Sequence, residues 1–198
     1  MDETVIIDSG GANLASLQYA LERLGARSRV TSDVREIECA PRVILPGVGS
    51  AGDAMRRLQA SGLATLLPRL AQPVLGICLG MQLLFAASEE GDTACLGVLP
   101  QSVRRLEARP GLPVPHMGWN SLELLKEDPL LDGIEPGDYF YFVHGYAAPV
   151  CDATLAAVEY GEKLSAVVRR GNFWGTQFHP ERSGRTGARI LANFLRLG

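Results

Sequence analysis

The first half of the chain alternates short apolar runs with segments whose apolar residues recur at helical spacing. That alternation restricts the fold more than any other feature. "TVIID" (4–8) reads as a short strand ending in the loop "SGGAN". Asn13 is placed to cap a helix carrying Leu14, Leu17, Leu21 and Leu24 on one face, and Gly25 stops it. "RSRVTS" reads as a second strand and "RVILPGVGS" as a third, breaking at Pro46-Gly47. Helix resumes near Ala51, and Pro68 breaks that region. "PVLGI" is a fourth strand, and "LGMQLLFAAS" after it reads as a helix. Strand–helix alternation of this kind predicts a parallel sheet with helices on both faces.

The second half changes character. "GVLPQSVRRLE", "YFYFVHGYA", "ATLAAVEY", "LSAVVRR" and "NFWGTQF" read as successive strands separated by turn residues. They predict antiparallel or mixed β-structure added to the parallel sheet. A helix closes the chain over roughly 186–197, with Ile190, Leu191, Phe194 and Leu195 on one side. No linker-like composition separates the halves. The expectation is one α/β domain over residues 1–198, with a central, mostly parallel but mixed sheet flanked by helices.

Charge and composition exclude several function classes. The formal net charge is −3 and the pI about 5.6, which argues against nucleic acid or an anionic membrane as the main partner. "MDETVIID" has neither a basic n-region nor a signal-peptide h-region. The apolar run from Val74 to Ala87 is too short to span a bilayer and contains Gln82. These features point to the cytoplasm, where Cys39, Cys78, Cys95 and Cys151 would be free thiols. The spacing of the cysteines and of His116, His144 and His179 forms no zinc pattern. Neither a metal nor a cofactor is expected.

One cysteine sits in the middle of the longest apolar run, "VLGICLGMQLLF" (74–85). Gly76 and Gly80 flank Cys78 in a G-x-C-x-G pattern between a buried strand and a helix, the form of a nucleophile elbow. Small neighbours let strand and helix approach, and the thiol is presented at the carboxyl edge of the sheet. A helix N-terminus there would favour the thiolate. A buried core cysteine between two packing glycines fits the same stretch. A nucleophile needs a base, and the base needs an orienting group. "TQFHPE" (176–181) offers both, because residues two apart on an extended chain project together, placing Glu181 beside His179. A surface His–Glu pair at a strand end is the competing reading. "PGVGS" (46–50) ends the third strand, expected beside the elbow strand, and its glycines let backbone N–H groups approach a substrate oxygen. Val48 and Gly49 are candidates there, with the Leu79 amide as the second oxyanion donor. A plain strand-to-helix turn fits that segment too.

Taken together, "PGVGS", "GICLGMQLLF" and "QFHPE" occur in the order of the class I (triad) glutamine amidotransferases, which this chain resembles over essentially its whole length. The resemblance implies that Cys78 attacks the side-chain amide of glutamine. His179 acts as acid and base, Glu181 orients it, and water releases glutamate from a thioester. It implies that Gln82 and Glu90 contact the bound glutamine, with Gly47, His144, Gly145 and Tyr146 also at the substrate. An exposed acidic turn, "SEEGD", is the alternative for Glu90.

"PHMGWN" (115–120), "YFVHGY" (141–146) and residues 6–25 look like the glutaminase subunits of imidazole glycerol phosphate synthases. That resemblance implies a (β/α)₈-barrel synthase subunit as heterodimer partner and ammonia passed between them for histidine synthesis. It places Asn13, Trp119, Asn120, Tyr141 and Arg182 at the interface. An ordinary core tryptophan is the other reading of Trp119. The row Tyr139, Phe140, Tyr141 and Phe142 cannot all be buried on one sheet face. Two positions depart from the family pattern: Gly145 in "VHGY", where "VHSY" is usual, and Arg182, where lysine is common. The rival functions are an anthranilate- or aminodeoxychorismate-type glutaminase subunit, a cysteine peptidase-like hydrolase, and a binding subunit with a relic site.

Overall fold

The computed structural model describes residues 3–8 and 14–197. Asn13, expected to cap the first helix and to reach the interface, lies outside the described residues. Strands β1 (Thr4–Ile7), β2 (Ser28–Thr31), β3 (Val43–Gly47) and β4 (Val74–Cys78) alternate with helices α1 (Leu14–Arg23), α2 (Val34–Glu38), α3 (Ala51–Ala60) and α4 (Leu63–Leu66). After β4 come α5 (Leu79–Leu83), β5 (Phe85–Ser88), β6 (Thr93–Ala94) and β7 (Leu99–Arg105). Next follow β8 (His116–Ser121), β9 (Glu123–Leu124), β10 (Tyr139–His144) and β11 (Tyr146–Ala147). The chain ends with β12 (Thr154–Glu159), β13 (Lys163–Arg170), β14 (Phe173–Thr176) and α6 (Gly184–Phe194).

The main sheet has eight strands in the order β2-β1-β3-β4-β14-β13-β12-β9. Pairing is parallel from β2 through β14 and antiparallel beyond it. The mixed sheet is therefore as expected, with β14 as the seam between its two halves. Its strands read as continuous apolar runs because both faces are covered. Alternate residues enter opposite cores. Ile6, Ile44, Leu75 and Ile77 pack with Leu17 and Leu21 of α1 and Ile190 and Phe194 of α6. Val5, Val43, Leu45 and Val74 pack with Met55 and Leu58 of α3 and Met81 of α5.

Local chemistry sets the helix ends. Gly25, at φ +73°, closes α1, and the Gly25 and Ala26 amides donate to the carbonyls of Glu22 and Leu21 at 2.8 and 3.0 Å. The Ser50 hydroxyl caps α3 by accepting from the Asp53 amide at 3.2 Å. The segment "LGMQLLFAAS" departs from its expected helix, which stops at Leu83 and gives way to β5. The carbonyls of Leu83, Leu84 and Phe85 are taken by the amides of Leu96, Leu99 and Gly97 at 2.8–2.9 Å. Those bonds replace the ones a longer helix would need. "YFYFVHGYA" likewise divides at Gly145. β10 pairs with β8 as a two-stranded ribbon, while β11 joins a small sheet of order β11-β7-β5-β6.

The elbow depends on a close approach of β3, β4 and α5. A Cβ at Gly80 would lie 1.8 Å from the Leu45 carbonyl oxygen, and one at Gly76 would lie 2.6 Å from the Gly80 carbonyl oxygen. Both obstacles are backbone, so neither can rotate away. Gly80→Ala should therefore lower unfolding stability by about 3 kcal/mol or more, the range of severe overpacking. Gly52→Ala in α3, whose Cβ would meet only side-chain atoms at 3.4 Å and beyond, should leave it equal or higher. Urea denaturation of the two variants checks the contrast.

Candidate active site

Cys78 ends β4 at φ +54°, ψ −111°. Among the described residues only Cys78 and Asp92 are non-glycine residues at positive φ. A side chain held there costs about 1–3 kcal/mol and persists because its surroundings over-determine it. The turn lifts the thiol off the sheet into a polar setting. The sulfur lies 3.9 Å from the Val143 carbonyl oxygen, to which its S–H can donate. It lies 3.9 Å from the Gln177 amide nitrogen, from which it accepts.

β14, adjacent to β4, leads to the candidate base, His179. Past Thr176 the chain bends through Gln177 and Phe178 to His179, whose amide donates to the Tyr141 carbonyl at 3.0 Å. The Ser183 hydroxyl donates to the His179 carbonyl at 2.7 Å. Here the structure corrects the sequence-based reason for the His–Glu pair. Glu181 is not two places along an extended strand, because Pro180–Arg182 form a turn of 3₁₀ helix. Proline at its first position suits the turn's φ and has no amide to satisfy. The turn brings the Glu181 carboxylate back, and His179 Nδ1–H donates to Oε1 at 2.8 Å. Both side chains are only 9% exposed, so this is not a surface pair. Burial pushes the His179 imidazole toward neutrality, but its bonds and charge interactions with Cys78 and Glu181 outweigh burial and raise its pKa to about 10.

Cys78 and His179 share a cavity of about 330 Å³. Val48, Gly49 and Leu79, the expected oxyanion donors, form one wall. Gly49 sits at φ +94°, a backbone state open to glycine. Gln82, Glu90, His144, Gly145 and Tyr146 also line the cavity. Glu90 lies in the 89–92 turn but is half-buried, and its carboxylate accepts from the Ala51 amide at 2.7 Å, so the turn is acidic without Glu90 being exposed. Gly47 is not part of this lining. It stands opposite Cys78 in the β3–β4 register, where a Cβ would come within 2.8 Å of the Gly80 amide.

The expected interface residues separate into two groups. Trp119 is 54% exposed, which excludes the core reading. Its ring meets Tyr141 edge-on at 6.0 Å, and the Arg182 guanidinium lies 5.1 Å from the Tyr141 ring centre. The row 139–142 alternates as its spacing requires, with Phe140 and Phe142 buried and Tyr139 exposed. Asn120, the neighbour of Trp119 in the strand, is held by its own fold. Its amide donates to the Glu159 carbonyl at 3.0 Å.

The sequence matches the glutamine amidotransferase class-I family over residues 5–197. This chain belongs to the class-I glutamine amidotransferases. The amidotransferase is 56% identical over 197 residues to an imidazole glycerol phosphate synthase subunit HisH of Xylella fastidiosa, covering 100% of this chain and 98% of that one. It is 55% identical, with the same coverage, to the HisH subunit of Xanthomonas campestris pv. campestris. Its fold is that of the PurLQS structure from Thermotoga maritima, with a TM-score of 0.73 at 21% identity over 98% of both chains. A crystal structure of a glutamine amidotransferase gives 0.75 at 20% identity, over 97% of this chain and 96% of that one.

Sequence reasoning passed over part of the polar network in this amidotransferase. His144 Nδ1–H donates to the Tyr146 carbonyl at 2.8 Å. Its Nε2 is then the acceptor for His116 Nδ1–H at 3.0 Å. Burial lowers both imidazoles to about 4, so the pair is neutral near pH 7. His116 is stacked between Phe142 and Tyr160. Pro115 and Val143 complete the cavity wall. The available signal was the pairing of "PHM" with "FVH" as opposing strands, which sets His116 against His144.

Because the His179 pKa is raised from 6.5 to about 10, its protonation stabilises the folded state. That contribution is complete below pH 6.5 and is lost as pH rises through 10. Glu181→Gln removes part of the cause. The variant should lose less thermal stability than the parent between those two pH values, as melting temperatures across the window would show.

Proposed function

We propose that this amidotransferase is the glutaminase subunit of an imidazole glycerol phosphate synthase. In this reading it converts glutamine to glutamate and ammonia through a thioester on Cys78. The observation that carries the chemistry is a small cavity shared by His179 and a thiol held on a strained turn, with the buried Glu181 carboxylate bonded to the same imidazole. The identity of about 55% to HisH subunits along the whole chain supports the subfamily.

With the proton of the pair held on His179, the Cys78 thiolate sulfur attacks the side-chain carbonyl carbon of glutamine. Negative charge gathers on the carbonyl oxygen, to which the Leu79 amide and, once docking has completed the site, a Val48–Gly49 amide donate. Collapse of this intermediate expels ammonia, which takes the proton held by His179. A water molecule then gives a proton back to His179 and attacks the thioester. The carbon–sulfur bond breaks, glutamate leaves, and the thiolate returns. Glu181 keeps the imidazole oriented and balances its positive charge throughout. The cavity suits a free amino acid better than the open, sequence-tolerant cleft a peptidase needs. The HisH relatives argue equally against an anthranilate-type subunit.

The partner is a (β/α)₈-barrel synthase subunit that receives the ammonia. Met117, Trp119 and Tyr139 are all more than half exposed on the β8–β10 ribbon. With Tyr141 and Arg182 they make an aromatic and cationic patch of the composition found at interface centres. Gly49, free to change backbone state, is the point at which docking of the liganded barrel completes the oxyanion site. The complex works in the cytoplasm, where the four thiols stay reduced.

Cys78→Ala should abolish ammonia release while retaining glutamine and partner binding; full release by the variant overturns the nucleophile assignment. The isolated chain should hydrolyse glutamine slowly and be strongly stimulated by a barrel subunit holding its ribotide ligand. Equal rates with and without that subunit would discard the coupling. Trp119→Ala should weaken partner binding roughly thirtyfold or more, as expected for a central aromatic anchor, when titrated by calorimetry.

A further inference from the structure

We propose that Gln177 is a hydrogen-bond donor to the Cys78 sulfur, stabilising the thiolate before attack and again when sulfur leaves the thioester. The proposal rests on the reading of Cys78 as the nucleophile and goes beyond the Cys–His–Glu set. Gln177 lies inside the "TQFHPE" segment, two residues before His179. It is fully buried, and its backbone amide donates to the Ala166 carbonyl at 2.8 Å. Its side chain is therefore anchored from the β13 side and enclosed.

One backbone carbonyl sets the orientation of its amide. The Tyr146 carbonyl can only accept, and Gln82 Nε2 donates to it at 2.8 Å. The same Gln82 nitrogen therefore presents its other N–H to Gln177 Oε1, at 3.0 Å. With Oε1 engaged, Gln177 must turn Nε2 toward the sulfur, which it reaches at 3.9 Å. The opposite rotamer would set two buried NH₂ groups against each other and bring an oxygen lone pair against the sulfur, both costly arrangements in a buried site.

The two contacts of the sulfur divide between its protonation states. The thiol can donate its S–H to the Val143 carbonyl at 3.9 Å. Once that proton has moved to His179, sulfur is an acceptor only, and the neutral Gln177 N–H is a donor already aimed at it. No bond to Gln177 forms or breaks. When water hydrolyses the thioester, the electron pair of the carbon–sulfur bond departs on sulfur and meets the same donor. Charge-assisted bonds of this type are stronger than neutral ones, so the contact favours the states in which sulfur bears charge.

The test reads the sulfur directly. The purified full chain is alkylated with iodoacetamide across about pH 5 to 10, the range in which thiolates form. Modification of Cys78 is followed by peptide mass to separate it from Cys39, Cys95 and Cys151. Gln177→Met keeps the length and loses the donor. Gln177→Glu keeps the acceptor for Gln82 and places a second oxygen toward sulfur. His179, His144 and Glu90 line the same cavity and Glu181 stands behind His179; Gln177→Met adds no charge beside them, whereas Gln177→Glu adds a carboxylate. Gln177→Met should move the alkylation midpoint up by about one pH unit and slow Cys78 alkylation about tenfold at a fixed pH below it. Gln177→Glu should move it at least as far. Glutamine turnover should fall mainly in kcat rather than KM. An unchanged midpoint in either folded variant overturns the proposal. Undiminished glutaminase activity in Cys78→Ala overturns instead the reading beneath it, so the two failures are distinct.

Discussion

The site depends on one contact between backbones: the approach of Gly80 to the Leu45 carbonyl, with Gly76 beneath it. Because neither glycine carries a Cβ, β3, β4 and the start of α5 lie closer together than any other residue would allow. That closeness forces the chain to turn sharply after Ile77, and the turn puts Cys78 in a conformation side chains rarely adopt. It also places the Val48–Gly49 segment beside the thiol, since Gly47 and Cys78 are paired in register. The proposed nucleophile and the segment proposed to supply an oxyanion donor are thus positioned by the same interaction.

The rest of the chemistry arrives from the other side of β4. The neighbouring strand β14 is the seam where the parallel part of the sheet meets the antiparallel part, and it leads directly into His179. His179, the proposed base, is clamped through its backbone by Tyr141 and Ser183, while its ring is held by a carboxylate that shares its burial. The same Tyr141 presents its ring to Arg182 and Trp119 on the exposed side. One residue of β10 therefore touches both the backbone of the base and the patch proposed for docking.

Much of this was legible in the sequence. The alternation of apolar runs disclosed the parallel half of the sheet, since strands covered on both faces need no polar alternation. Gly76, Cys78 and Gly80 announced the elbow, because that turn tolerates few other residue types. The His179–Glu181 contact was also expected, though from the wrong geometry. Extended spacing and a tight turn after proline both bring residues two apart together, and the letters alone do not separate them. The short α5 was hidden because "LGMQLLFAAS" is apolar enough for either state, and distant amides of 96–99 decide it by taking its carbonyls. Gln177 was hidden for a different reason. Its contacts come from residues far away in the chain, and the direction of its amide is dictated by the Tyr146 carbonyl, which no side-chain pattern reports.

The conformation of Cys78 carries an evolutionary consequence. At φ +54° glycine is the one residue that would relax the turn, and it is reached from a cysteine codon by a single base change. Replacement by glycine would make the fold more comfortable and remove its reactive atom in one step. Selection acting on foldedness alone would therefore erode this position, so a cysteine here calls for a reason outside folding, which the proposed turnover supplies.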